Sequence, residues 1–313
     1  MPALLAPRWP ILVAYPVSTL FYYALYHGLR PCDAKQRNWP DANWRLFRQN
    51  VCALVHSYAL VLLLTIVLVV DGSELQRAGL RPFYSPLAYI AVGMSLGYMS
   101  MTLPWSLKMY LGTPQERAST RPTLIVHHAF VVLAELVYIL TLTSPWYGSL
   151  SLVMFEVSNL FLMPHHLMTQ LGYHGRLHFL NGLLFFVTCT FVRVLGCLVL
   201  GVVYAVDVLR YRDDGAGYGA GLHVALGLSL VSFWVILMLS AYWYWRDVLR
   251  EVHKEFKQAF GEKYWLRCCA CVRRCPPCLS ACGVGPSSST SSSRSSSTAG
   301  SSSSWHGAGP ERA

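Results

Sequence analysis

Two stretches, "HHAFVVLAELVYIL" (His127–Leu140) and "FEVSNLFLMPHH" (Phe155–His166), decide how this chain is read. Both are apolar enough for the interior of a bilayer. Yet the first carries His127, His128 and Glu135, and the second Glu156, Asn159, His165 and His166. Ionisable groups in hydrocarbon are costly, so they face a bundle interior and find partners there. The two stretches are therefore read together, as the polar interior of a membrane protein.

The rest of the sequence fits that reading. Of 313 residues, 54% are hydrophobic and only 13% are charged, where a soluble domain carries about 25%. A helix crosses a hydrocarbon core with about 20 apolar residues. Seven runs meet that length: Pro10–Leu29, Val51–Val70, Phe83–Leu103, Pro122–Thr143, Trp146–His166, Leu177–Val206 and Gly221–Trp245. The expected fold is an all-α, polytopic transmembrane bundle of about seven spans. Only Arg8 precedes the first run, which is longer than the apolar core of a signal peptide, so it is expected to stay as a helix.

The net charge of +10 is concentrated at one end, with ten of the 25 Lys and Arg residues after Trp245. No basic module interleaved with aromatics is present, so nucleic acid is not an expected partner. With seven spans, nineteen basic residues fall on the side of the C-terminus and five on the other. That asymmetry predicts a cytoplasmic C-terminus and contact with anionic headgroups. The expected location is the endoplasmic reticulum or the plasma membrane.

The link around Ser144–Trp146 is short enough to predict that the fourth and fifth runs are antiparallel neighbours. His127 and His166 then lie at the cytoplasmic end, and Glu135 and Glu156 lie nearer mid-membrane. His56, Asn181 and Arg193 complete the intramembrane polar set. One reading is a lipid pocket, with His56, Glu135, Asn159, Asn181 and Arg193 lining it and His127, His128 and Glu156 as candidate catalytic groups; a histidine base would activate a hydroxyl or amine there. The other is structural, with the two glutamates paired to Arg193 or His128 to hold the bundle. Histidines adjacent on a helix diverge by about 100°, so 127–128 and 165–166 do not make a metal site, and no metal or other cofactor is expected. Gly93 and Gly97 form a small-xxx-small motif that permits close helix packing. "GAGYGAG" (Gly215–Gly221) lacks the strand and helix of a nucleotide loop and reads as a link.

After Trp245 the character changes. "CCACVRRCPPCLSAC" places Cys268, Cys269, Cys271, Cys275 and Cys278 beside basic residues at the end of a membrane helix. This suits reversible palmitoylation, with a zinc site the competing reading. The Ser-rich stretch from Pro286 onward cannot bury a core and is expected to be disordered.

Several short pieces, taken in order, resemble the TLC-domain membrane proteins: translocation-associated membrane proteins, ceramide synthases, a ceroid-lipofuscinosis protein and the smaller TLC-domain-containing proteins. They are "WRLFRQNVCALVHS" (Trp44–Ser57), "VHHAF" (Val126–Phe130), "FEVSNLFL" (Phe155–Leu162) and "NGLLFFVTCTFVR" (Asn181–Arg193). His127 and His128 match the family's histidine pair. The His-Asp-x-x-Asp of ceramide synthases does not match, since Phe155, Glu156 and Asn159 stand at its positions. The resemblance implies the smaller branch and a role in membrane lipid homeostasis, including sphingolipid balance. It also implies an alternative, an acyltransferase of the ceramide synthase type with acyl-CoA as a substrate. A cargo receptor or translocon accessory is the third reading. Membrane lipids are the expected partners, with self-association left open. The expected organisation is a first span and loop (1–43), a TLC-like membrane domain (44–254), a basic Cys-rich segment (255–285) and a Ser-rich tail (286–313).

Overall fold

The computed structural model describes residues 9–30, 39, 41–112, 122–213, 220–250 and 252. The chain divides into Met1–Val252 and His253–Ala313, and every described residue belongs to the first unit. The cysteine cluster with Cys268, Cys269, Cys271, Cys275 and Cys278, and the Ser-rich tail, lie outside the described residues.

Among the described residues the regular structure is entirely helical. The helices are α1 (Trp9–Gly28), α2 (Asp41–Val70), the short α3 (Gly72–Ala78), α4 (Pro86–Leu111) and α5 (Pro122–Thr141). They continue with α6 (Pro145–Val157), α7 (Asn159–Gln170), α8 (Arg176–Thr188), α9 (Cys197–Asp213) and α10 (Ala220–Trp243). A π-helical segment, Cys189–Gly196, joins α8 to α9, and a second, Tyr244–Val248, extends α10.

Among the described residues, five helices are long and apolar enough to cross a membrane: Asn43–Val70, Pro86–Leu111, Pro122–Thr141, Arg176–Tyr211 and Gly221–Val248. This corrects the expected seven, and the two differences have local causes. The first run forms the 20-residue α1, which contains Pro16 and a series of Tyr, Ser and Thr residues. It is long enough but less apolar than the five. The fifth run is two helices of 13 and 12 residues, α6 and α7, meeting at Ser158. Pro164 within α7 has no N–H for the carbonyl four residues back. That carbonyl, Leu160 O, instead accepts from the Tyr58 hydroxyl at 3.3 Å.

Start signals set the other boundaries. Ser85 Oγ accepts from the Ala88 N–H at 3.1 Å and donates to Asp71 Oδ2 at 2.5 Å. With Pro86 at the first helical position, this is an N-cap that fixes the start of α4. α1 runs against α4 through the glycine pair: the Ser18 hydroxyl reaches Gly93 O (3.3 Å) and the Thr19 hydroxyl reaches Gly97 O (3.4 Å). The opposite face of α1 exposes Leu12, Val13, Val17, Leu20 and Phe21, the surface that lipid covers.

The expectation that the fourth and fifth runs pack side by side is also corrected. α5 lies against α4 and α10, whereas α6 lies against α2, α9 and the first π segment. The link between them explains the separation. Leu142 and Ser144 both have left-handed backbone (φ 59° and 55°), a conformation unfavourable for side chains other than Gly, Asn or Asp. The preceding loop holds it in place: the Phe83 N–H donates to Leu142 O (3.2 Å), and the Ser144 N–H donates to Leu80 O (3.4 Å). The two helices leave this link in divergent directions, and a cavity lies between them.

Candidate functional site

The cavity has an empty volume of about 880 Å³, which includes space open to solvent. Its walls come from α4 (Val92, Ser95, Met99), α5 (His127, Val131, Ala134, Glu135, Tyr138), the link (Thr143, Ser144), one face of α6 (Tyr147, Gly148, Ser149, Ser151, Leu152, Phe155, Glu156), α9 (Tyr204) and α10 (Ser229, Phe233, Ile236). With a rise of 1.5 Å per residue, the distance along α5 from His127 to Tyr138 is about 16 Å. His127 marks one end, Glu135 and Glu156 the middle, and the hydroxyls of the link the other end. Val131, Ala134, Met99 and Phe233 make the wall between them apolar.

The predicted polar residues divide into two groups. His127, Glu135 and Glu156 line the cavity together. His127 and Glu135 are buried, and His127 Nδ1 and both Glu135 oxygens have no hydrogen-bond partner. Trp243 fixes the His127 end: its ring meets His127 edge-on at 5.2 Å, and its indole N–H donates to Thr123 Oγ1 at 2.9 Å.

The second group forms a closed network beneath the cavity. Glu156 Oε2 accepts from Ser57 Oγ (2.6 Å) and from Asn159 Nδ2 (3.0 Å). Asn159 Oδ1 in turn accepts from Arg193 Nη1 at 3.0 Å. Arg193 also donates to Phe155 O, Ser158 Oγ and, through Nε, Ser240 Oγ, at 3.2–3.3 Å. Phe155 O is one of the carbonyls left over at the C-terminal end of α6, where a cation is favoured. The Arg193 guanidinium also lies over the Phe155 ring at 5.8 Å. Its position in a π-helical turn directs it inward at this level, and such turns recur at functional sites in membrane and soluble proteins alike. A glutamate and an arginine joined through one asparagine thus tie α2, α6, α7, the π segment and α10 together.

His128, His56 and Asn181 lie off the cavity wall. His128 is buried with Nδ1 unpartnered. His56 stacks on Tyr98 (4.1 Å between ring centres) and shares a 3.3 Å hydrogen bond with the Tyr22 hydroxyl. Asn181 donates to Phe161 O at 2.5 Å, so it joins α8 to α7. His165 stacks on His178 (4.1 Å) and lies beside His166. Among the described residues, no three His, Cys, Asp or Glu side chains gather as metal ligands. Cys52, Cys189 and Cys197 are buried free thiols.

Sequence reasoning missed the hydroxyl groups. Tyr147 stacks on Tyr204 (4.5 Å) and hydrogen-bonds Asp207, and the Tyr204 hydroxyl donates to Ser144 Oγ at 3.0 Å. Single Ser, Thr and Tyr residues are common in membrane helices, so nothing in the sequence singles these out. Ser57 alone had a signal, as the neighbour of His56 in the "HS" pair.

Long apolar helices that turn their charged groups inward define an integral multi-pass membrane protein. The family model TRAM_LAG1_CLN8, the TLC domain, matches residues 46–248, and the chain belongs to this family. No curated protein and no solved structure matches it.

Proposed function

We propose that the protein binds a membrane lipid in the cavity between α5 and α6 and acts through it in membrane lipid homeostasis. One observation carries this reading. A largely apolar chamber presents, midway along its wall, the buried Glu135 carboxyl group with the Ser95 hydroxyl beside it and, at one end, an open histidine nitrogen. A buried polar group without a partner is expensive. The ligand that offsets this cost has an apolar body and hydrogen-bond donors on its polar part. Lipids with amide and hydroxyl donors, such as the sphingoid class, meet that description. Phosphatidylcholine, whose headgroup has no donor, does not.

Acyl transfer from acyl-CoA is the weaker reading. A general base needs a partner that orients it. Glu156, at the family's second catalytic position, is committed to Ser57 and Asn159, and His127 Nδ1 has no carboxylate partner. The ten basic residues after Trp245 favour a cytoplasmic C-terminus, and an endomembrane or the plasma membrane is the expected location. A cargo-receptor role would rest on the tail and not on this chamber.

The test uses the full-length protein in phosphatidylcholine nanodiscs, titrated with a fluorescent ceramide. Wild type should bind saturably. Glu135→Leu should bind about tenfold more weakly, since leaving a buried ligand donor without its acceptor costs about 1–3 kcal/mol and tenfold corresponds to about 1.4 kcal/mol. Its unfolding temperature should hold or rise, because the variant removes a poorly satisfied buried polar group. Equal ceramide affinity in both proteins would sink the lipid reading. N-acylation of sphingosine by acyl-CoA, lost in His127→Ala, would move the assignment to acyl transfer.

A further inference from the structure

The end of the chamber at the α5–α6 link is built of hydroxyl groups. Thr143 and Ser144 of the link, Ser149 of α6, Tyr204 of α9 and Ser229 of α10 line it. The Tyr204 hydroxyl donates to Ser144 Oγ at 3.0 Å and also meets Ser229. Ser149 is only 5% exposed, and its hydroxyl has no hydrogen-bond partner among the described residues. Tyr138, on the wall between Glu135 and the link, is buried as well, and its hydroxyl has none either.

The start of α6 adds donors. Its N-cap, Ser144, makes no side-chain cap. The Ser144 N–H goes to Leu80 O, the Gly148 N–H goes to Ser144 O, and Pro145 has no N–H. Those of Trp146 and Tyr147 are the donors that a helix leaves over at this end. Gly148 keeps the wall open beside them, since a Cβ there would meet nothing within 4 Å.

A hydroxyl both donates and accepts, so a ligand that satisfies this end does the same at several points. A polyhydroxyl group meets that requirement. An anion is disfavoured, because the acidic side chain of Asp207 is held at this end by its hydrogen bond from Tyr147. The stacked rings of Tyr147 and Tyr204 (4.5 Å) supply an aromatic wall for the C–H face of a sugar ring. Along α5, Glu135 and the last residue, Thr141, are about 9 Å apart, which leaves room for one such ring beyond a lipid amide at Glu135.

We propose that the link end of the chamber binds the neutral polyhydroxyl headgroup of a glycosylated lipid, whose chains run past Glu135 toward His127. The site rests on the lipid-binding reading of the chamber and adds the headgroup and its direction.

Short-chain glucosylceramide and ceramide carrying the same fluorophore, titrated into the full-length protein in phosphatidylcholine nanodiscs, test it. Wild type should bind glucosylceramide about tenfold more tightly, the gain from about two net hydrogen bonds. Ser149→Ala should reduce that preference about threefold, the share of one such bond. Gly148→Leu, which fills the open space, should abolish it. Each variant is read as a ratio of two lipids, and Ser149→Ala removes a single oxygen, so a folding defect in Gly148→Leu would still leave a decision. Equal affinity for the two lipids in wild type, or a preference unchanged in both variants, overturns the headgroup site while ceramide binding stands. Binding of neither lipid overturns the lipid reading and this site with it. Displacement of glucosylceramide by equimolar methyl glucoside overturns the lipid as the source of the sugar.

Discussion

Replacing Arg193 with leucine should destabilise the bundle by about 3–5 kcal/mol, the range for removing one partner from a buried charged network. Unfolding followed by tryptophan fluorescence should show the midpoint falling by on the order of 10 °C, given roughly 2–4 °C per kcal/mol for a domain of this size. The guanidinium satisfies Phe155 O, Ser158 Oγ, Asn159 Oδ1 and Ser240 Oγ together. Leucine leaves all four without this donor in largely buried surroundings. It also leaves the Glu156 carboxylate, which reaches the arginine through Asn159, without a compensating charge. Arg193→Lys should fall between leucine and wild type, because a point-like ammonium lacks the planar fork that serves several acceptors at once. Adding Glu156→Leu to Arg193→Leu should recover part of the loss, a positive coupling between residues that share a network. An unchanged midpoint in Arg193→Leu would show that the network holds nothing together.

The same network shows how far the sequence could be read. Charge in an apolar run implies an inward-facing group, so Glu156, Asn159 and Arg193 were recognisable as interior residues, and pairing of Glu156 with Arg193 was one of the open readings. What the runs do not encode is direction. His127 and His128 differ by about 100° around one helix, and only the neighbours decide which faces the cavity. The neighbours depend on the link. Left-handed backbone is usually signalled by Gly or Asn, yet here Leu142 and Ser144 adopt it under constraint from the 80–83 loop. Counting residues between two helices gives antiparallel order but not divergence. The two spans counted in excess have a similar origin. α1 has the length of a span, with its Pro and hydroxyl content lowering its apolarity, and the fifth run is interrupted at a serine, which carries no strong breaking signal. The Gly93–Gly97 motif could be read as a packing face, although its partner helix could not be named.

That partner makes Gly97 the most tightly packed glycine among the described residues. A Cβ at Gly97 would lie 1.9 Å from Ser18 Oγ, 2.8 Å from Tyr15 O and 3.0 Å from the Thr19 nitrogen. The serine can rotate away, but the other two are backbone atoms of α1, so the whole helix must move. Gly97→Ala should therefore cost about 1–3 kcal/mol, the range for overpacking a close interface, and Ser18→Ala should not rescue it because Tyr15 O stays in place. Gly93→Ala should cost less, since its tight contacts there are the side chains of Ala14 (3.0 Å) and Ile11 (3.1 Å), and the one backbone atom, the Tyr15 nitrogen, lies at an ordinary 3.4 Å. With Gly97→Leu, α1 should lose its seat. The bonds from Ser18 to Gly93 O and from Thr19 to Gly97 O would break, and Tyr22 would withdraw from Tyr98 and His56. A protease site introduced between residues 31 and 38 makes this visible. After cleavage in detergent, α1 should co-elute with the rest of the wild-type chain on size exclusion and separate from it in Gly97→Leu. Retention of α1 by the leucine variant, with an unchanged unfolding midpoint, would mean that close approach at Gly97 does not hold the helix.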